Sequence, residues 1–274
     1  MAPCSHASLR ALALDALQAV QPAVKLEHLR RMHHGQSTGA GADLQANGPL
    51  PGRPAAPELV PPSRLSHRSP GTPEGHAALI HSLAHIEFNA INLALDIMWR
   101  FPGMPDAFYH DWLQVALEEG LHFELLVQHL ATLGHAYGDF PAHDGLWEMA
   151  ERTSDSVLAR LALVPRTLEA RGLDASPMVR RKLAGIGDHA GAAIIDIILR
   201  DEIGHVAAGN RWYRFECERQ GLDPVQHFSE LAHRYRAPVL RGPFNLPARR
   251  AAGFSDAELQ ALQHRAASST GATV

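Results

Sequence analysis

Cysteine is nearly absent. The 274-residue chain has two, Cys4 and Cys217. They form no thiolate metal cluster and suggest no disulfide framework, so a reducing cytoplasm is the expected setting. Long apolar runs are missing too. No stretch approaches the roughly 20 uninterrupted apolar residues of a membrane span. Arg10 and Asp15 interrupt the N-terminal run MAPCSHASLRALALDALQAV, which makes it a poor secretory leader. Strand patterning is almost absent, and there is no tandem array of short repeats. Neither sign of charge dominates: the formal net charge is −4, which offers no general attraction to nucleic acid or anionic membranes. No flavin or iron–sulfur module is recognisable. The GAGA stretch at residues 39–42 follows no strand and carries no phosphate-binding signal.

What is present is helix. Residues 7–33 read as one helical arm with a partial apolar stripe of Leu9, Leu12, Leu14, Leu17 and Val20. Residues 34–71 are rich in Gly, Pro and Ser and read as an irregular connector. Four long helices follow. The first opens at Thr72-Pro73-Glu74, an N-cap with proline at the first position, and stops at Arg100 before Phe101-Pro102-Gly103. The second runs from about Pro105 to Leu133, and the third from about Gly145 to Arg171. The fourth starts at Pro177 or His189 and ends at Gln220 before Gly221. Residues 236–254 read as an irregular tail, and Ser255-Asp256-Ala257-Glu258 is a capping box that opens a last short helix. Long helices joined by short turns predict an all-α antiparallel four-helix bundle over residues 72–222. It is preceded by an arm and connector (1–71) and followed by a C-terminal extension (223–274).

One feature repeats. Helix two reads Glu118-Glu119-Gly120-Leu121-His122, and helix four reads Asp201-Glu202-Ile203-Gly204-His205. Both are acid-Glu-x-x-His, and residues three apart on a helix share a face. At helical spacing Glu119 has Trp112, Val115, Ala116, Phe123 and Leu126 as neighbours, and Glu202 has Ile195, Ile198, Leu199 and Val206. Both pairs therefore point into a core, where an uncompensated carboxylate is costly. Glu87 precedes Glu119 by 32 residues and Glu169 precedes Glu202 by 33. Glu87 is a lone acid among Ile80, Leu83, Ala84, Ala90, Ile91 and Ala94. One Glu from each of two helices and Glu-x-x-His from each of two others is the ligand set of a di-iron or di-manganese carboxylate bundle. Glu87, Glu119, His122, Glu169, Glu202 and His205 are thus the candidate metal ligands. Glu118 and Asp201 are candidate outer carboxylates: Asp201 would hold the His122 imidazole and Glu118 that of His205. The alternatives to Glu169 are Glu148 and Glu151, which lie in a polar stretch that reads as solvated.

The remaining chemistry-bearing residues take blander readings. His81 and His85 point away from the Glu87 face and read as surface or inter-helix hydrogen-bonding groups. His110, His129, His135 and His143 have no matched acids. Tyr109 and Tyr213 read as packed tyrosines with satisfied hydroxyls. Arg234, Arg236, Arg241, Arg249 and Arg250, with Tyr235 and Phe244 between them, form either an anion or RNA handle or salt bridges onto the bundle. The negative net charge favours the second.

Six segments carry a resemblance: TPEGHAALIHSLAHIEFNAINLALD, VALEEGLHFELL, YGDFPAHDGLWEMA, VPRTLEARGLD, DEIGHV and GPFNLPARRAAGFS. From about Pro61 to Leu259 the chain resembles the ferritin-like superfamily, and within it an uncharacterised bacterial family known as a domain of unknown function. The resemblance implies a four-helix bundle with a dinuclear metal site, di-iron or manganese–iron, on the six ligands above. It is compatible with an oxidoreductase that uses dioxygen or peroxide on a small-molecule or RNA substrate, supplied by a separate electron donor. The other readings are a ferroxidase or iron-storage protein and a metal-stabilised scaffold without turnover. The expected protein has no membrane partner, and a homodimer is one assembly open to it.

Overall fold

The computed structural model describes residues 7–66 and 68–270; Cys4 lies outside them. Among the described residues every element is helical, apart from one parallel bridge pairing Leu59 with Ala142. The chain is all-α. It divides into two compact units, residues 1–147 and 148–274.

The first unit is built on α3 (Pro73–Arg100) and α4 (Asp106–Thr132). Thr72 caps α3 by accepting from the Gly75 N–H, and Pro73 occupies the first helical position. Only residues 101–105 separate α3 from α4, so the two pack as a hairpin. Tyr109 fastens this link: its hydroxyl donates to Phe101 O (2.9 Å) and accepts from Met104 N (3.2 Å). The arm expected as one helix is two, α1 (Leu9–Gln18) and α2 (Pro22–Arg30). Pro22 cannot donate into a continuing helix and instead starts a new one. The α1 helix packs on α3 and α2 packs on α4. Two buried cations hold this corner. Lys25 Nζ donates to the final carbonyls of α1, Ala16 O and Leu17 O. Arg10 donates to Met98 O and Trp99 O at the end of α3. Helix α2 comes close to α4 at Gly120, where a Cβ would stand 3.1 Å from Leu29 Cδ1. The connector is tied down by Gly52 N donating to Leu17 O and by the Arg53–Asp144 ion pair.

His81 and His85 are buried on α3, which corrects the surface reading. Their partners lie in the loop after α4. His81 Nε2 accepts from Gly138 N (2.9 Å), and His85 bonds the Tyr137 hydroxyl and His143 O. A ring nitrogen that accepts from a backbone N–H must be unprotonated. Burial lowers His81 to about 4, against a small opposing pull from Asp139. The unfolded chain therefore binds more protons than the folded one between about pH 6.5 and 4, and stability falls as pH drops through that window. The urea midpoint should decline from pH 7 to pH 4.5, and a His81→Gln variant, whose amide oxygen keeps an acceptor, should decline less.

In the second unit the expected third helix is broken. It comprises α5 (Gly145–Arg152), within which the unit boundary falls, α6 (Val157–Leu163), and a π-helical turn, Val164–Glu169. Helix α7 (Ala170–Gly185) follows. Pro165 explains the π turn: it has no N–H, and its ring collides with the carbonyl four residues back, so the α ladder cannot pass. Thr167 Oγ1 satisfies the Ala162 carbonyl there (2.8 Å). The α7 helix runs through Gly172 and Pro177, both of which read as helix boundaries in the sequence. The burial of Ala170 and Leu173 in a cluster with Val206, Ala248 and Ala252 outweighs their local preference. Helix α8 (His189–Gln220) is capped by Asp188 and ended by Gly221 at φ 66°. It meets the π turn at Gly209, where a Cβ would stand 2.6 Å from Pro165 Cβ. Gly209→Ala should therefore destabilise by about 1–3 kcal/mol, read as a lowered urea midpoint.

The tail is less irregular than its sequence suggests. Helix α9 (Pro224–Arg234) is capped by Asp223, and α10 (Leu246–Ala251) by Asn245; α11 (Asp256–Thr270) follows. Arg249 is buried and bonds both carboxylate oxygens of Asp174, and Arg250 pairs with Asp256. For Arg249 the reading of a salt bridge onto the bundle holds, whereas the Arg250 pair stays within the C-terminal extension. Tyr213 packs with its hydroxyl donating to Pro224 O (2.9 Å). Cys217 is a buried free thiol, pushed up by burial.

Candidate metal centre

The α3/α4 hairpin brings three of the sequence-selected residues together. Glu87 comes from α3, and Glu119 and His122 come from successive turns of α4. Glu119 and His122 are fully buried and Glu87 is 4 % exposed. One donor atom from each lies within 4.8 Å of the other two. His122 Nδ1 stands 3.3 Å from Glu119 Oε2 and 3.5 Å from Glu87 Oε2. Phe88 and Phe123, next in sequence to ligand candidates, face each other and also pack on Tyr137. Tyr137 was not singled out from the sequence; its only signal was its place in the YGDFPAHDG segment.

Charge explains what this cluster asks for. Burial and then the facing Glu119 carboxylate push Glu87 up to about 8. Burial pushes the His122 imidazole down, but hydrogen bonds and attraction from Glu119 and Glu87 outweigh it and raise it to about 11. Two carboxylates in a dry core demand positive charge between them. A divalent cation meets that demand more fully than a proton. Carboxylate oxygen with imidazole nitrogen is a donor set suited to hard-to-borderline divalent ions. The residues present therefore fit a metal.

The second unit carries the other candidates. Glu202 and His205 are buried on one face of α8, with His205 Nδ1 4.0 Å from Glu202 Oε2. Gly172 of α7 lies against this face; a Cβ there would stand 3.7 Å from Glu202 Cδ, an ordinary contact. Glu169 closes the π turn and is nearly buried, but it does not join Glu202 and His205 in a group whose donors all lie within 4.8 Å. π turns recur at functional sites because they re-aim a side chain out of the helical register. Glu118 accepts from Gln114 on its own helix (2.8 Å), and Asp201 takes a two-pronged pair from Arg200. Glu148 and Glu151 are exposed, in keeping with a solvated face. His135 lies 3.4 Å from Asp139, and His143 accepts from Gly145 N, both local loop contacts.

An all-α chain with a buried carboxylate–histidine cluster able to hold a metal ion is the class that fold and site define. A family model described as "Protein of unknown function (DUF455)" matches residues 18–260, and the chain belongs to that family. The match begins well before Pro61, so α2 and the connector are part of the shared chain. An uncharacterised protein of Haemophilus influenzae is 53 % identical over 213 residues, which cover 75 % of this chain and 74 % of that protein. No solved structure matches. Among the described residues no helix is long and apolar enough to cross a membrane.

Proposed function

We propose that this chain is a ferritin-like, dinuclear-metal oxidoreductase, with iron as the first metal to test and manganese–iron as the variant. It would use dioxygen or peroxide to hydroxylate or oxidise an organic substrate. The observation that carries the reading is the Glu87–Glu119–His122 cluster. Its three donors converge inside an apolar hairpin, where two facing carboxylates and an imidazole favour a cation between them. The repeated acid-Glu-x-x-His spacing supplies the second set, Glu169, Glu202 and His205, and the resemblance supplies the four-helix bundle.

Two divalent iron ions, when bound, supply the reducing electrons that oxygen activation needs. The protein's own groups do the rest. The four carboxylates balance charge, and His122 and His205 complete the donor sets. Glu118 and Asp201 are assigned to orient the imidazoles through their second nitrogens. Phe88, Phe123 and Tyr137 keep water from the first set. Electrons for repeated turnover come from a separate protein.

The test is anaerobic loading with ferrous iron followed by oxygen exposure. Stoichiometric oxygen uptake with an optical change is the expected result; no uptake by the iron-loaded protein contradicts it. Assembly into a large shell with bulk iron deposition would instead mark iron storage.

A further inference from the structure

The second unit contains a cavity that the metal reading does not use. It measures about 370 Å³ including its open mouth, and its wall includes Arg166, Arg249, Arg265, Phe228, Leu240 and Leu262. Arg166 lies on the π turn and its side chain is 2 % exposed. Its guanidinium is clamped on Tyr213 at 4.1 Å and flanked by Phe228 and Phe254 at 5.4 and 5.3 Å. Nε donates to Asn210 Oδ1 (2.5 Å) and Nη2 to Glu258, but Nη1 has no hydrogen-bond partner. A buried charged donor left unmet is costly enough to need a reason.

The local charge points the same way. Glu258 is shared between Arg166 and Arg214, and Asp174 is taken by Arg249. Arg265, half-buried and also in the cavity wall, lies over Phe228 (4.8 Å) and donates to Ser229 Oγ (3.1 Å). Four arginines thus face two carboxylates, so the cluster carries an excess of two positive charges. Glu258, already engaged by Arg166 and Arg214, also lines the wall, and the rest is apolar, with Pro224, Val225, Phe254 and Ala261 adding to Phe228, Leu240 and Leu262. An inorganic ion would leave that wall unused, and a neutral hydrocarbon would leave Arg166 Nη1 unmet.

We propose that this cavity binds a small amphipathic carboxylate, its head on Arg166 Nη1 and Arg265 and its apolar body against Phe228, Leu240 and Leu262. Charge-assisted hydrogen bonds from guanidinium to carboxylate supply the selectivity. Burial of the tail supplies the remaining affinity. The proposal stands apart from the metal centre and does not depend on it.

The full-length protein should be titrated with octanoate, methyl octanoate and inorganic phosphate while the methyl resonances of Val225, Leu240 and Leu262 are followed. Octanoate should give saturable shifts at those methyls, with the ester and phosphate each at least about tenfold weaker. Arg166→Lys tests the head directly, but a buried arginine variant can fail to fold. The half-buried Arg265→Gln is therefore the second variant. It should weaken octanoate about tenfold and leave the ester unchanged. Three outcomes would overturn the proposal: no saturable shift, which would leave Nη1 to an ordered water; an ester that binds as well as the acid; or phosphate that binds as well as octanoate.

Discussion

Replacing Glu119 with alanine is expected to empty the Glu87–Glu119–His122 set and lower the metal content by about one ion per chain. Glu119 is fully buried and its Oε2 lies 3.3 Å from His122 Nδ1, in the same cluster as Glu87. Removing it leaves one carboxylate and one imidazole, too few donors for a divalent transition ion in competition with buffer. The affinity loss should exceed the roughly 10–100-fold that follows even from losing an outer partner of a ligand. Glu124→Ala is the matched control. It lies on the same helix, but its carboxylate is partly exposed and pairs with Arg30; its metal content should equal that of the parent. A metal content in Glu119→Ala equal to the parent's, measured by elemental analysis after exhaustive desalting, would remove the residue from the ligand set.

Arg10→Ala should be the most destabilising substitution in the N-terminal arm, at about 3–5 kcal/mol. The Arg10 guanidinium donates to Met98 O, Trp99 O, Gly39 O, Ala40 O and Ala42 O, and the residue is 2 % exposed. Truncation leaves those carbonyls short of a donor beneath α1 and frees the connector from the end of α3. Arg31→Ala offers the contrast: its pair with Glu27 is exposed on both sides and should be worth about 0–1 kcal/mol. Chemical unfolding of the two variants in parallel checks the ordering, and near-equal midpoints would contradict it.

The legible parts of the fold were those where local and tertiary signals agree. Thr72-Pro73 starts α3, the Phe101-Pro102-Gly103 break ends it, and Gly221 ends α8, because caps and breakers act within one turn. The broken third helix was illegible. Pro165 marks a break in the pattern from Val157 to Gly185, but a proline more often ends a helix than widens it into a π turn that continues as α7. Gly172 and Pro177 looked like ends because intrinsic preference says so, and the burial of Ala170 and Leu173 overrides it. Helix α9 has a readable start in the Asp223-Pro224 cap, but its short length gives a periodic signal few turns in which to show.

At the site, the i, i+3 spacing made the shared face of Glu119 and His122 readable, and the lone acid on an apolar stripe singled out Glu87. The burial of His81 and His85 was not readable, because their partners, Gly138, Tyr137 and His143, come from a loop more than fifty residues away. The Arg166 environment was equally hidden: its contacts to Asn210, Tyr213 and Glu258 are 44 to 92 residues distant. Spacing rules reach along one helix. They do not reach between elements joined by long chain separations.

The measurement that tests the central claim most directly is the metal content of the purified chain after anaerobic loading with ferrous iron and desalting, by elemental analysis. The account predicts about two transition ions per chain, with the Glu119→Ala protein retaining none at the first set. A fully folded protein that keeps no transition metal, even after loading with manganese as well as iron, would contradict it; the buried acids would then be neutralised by His122 and protons alone.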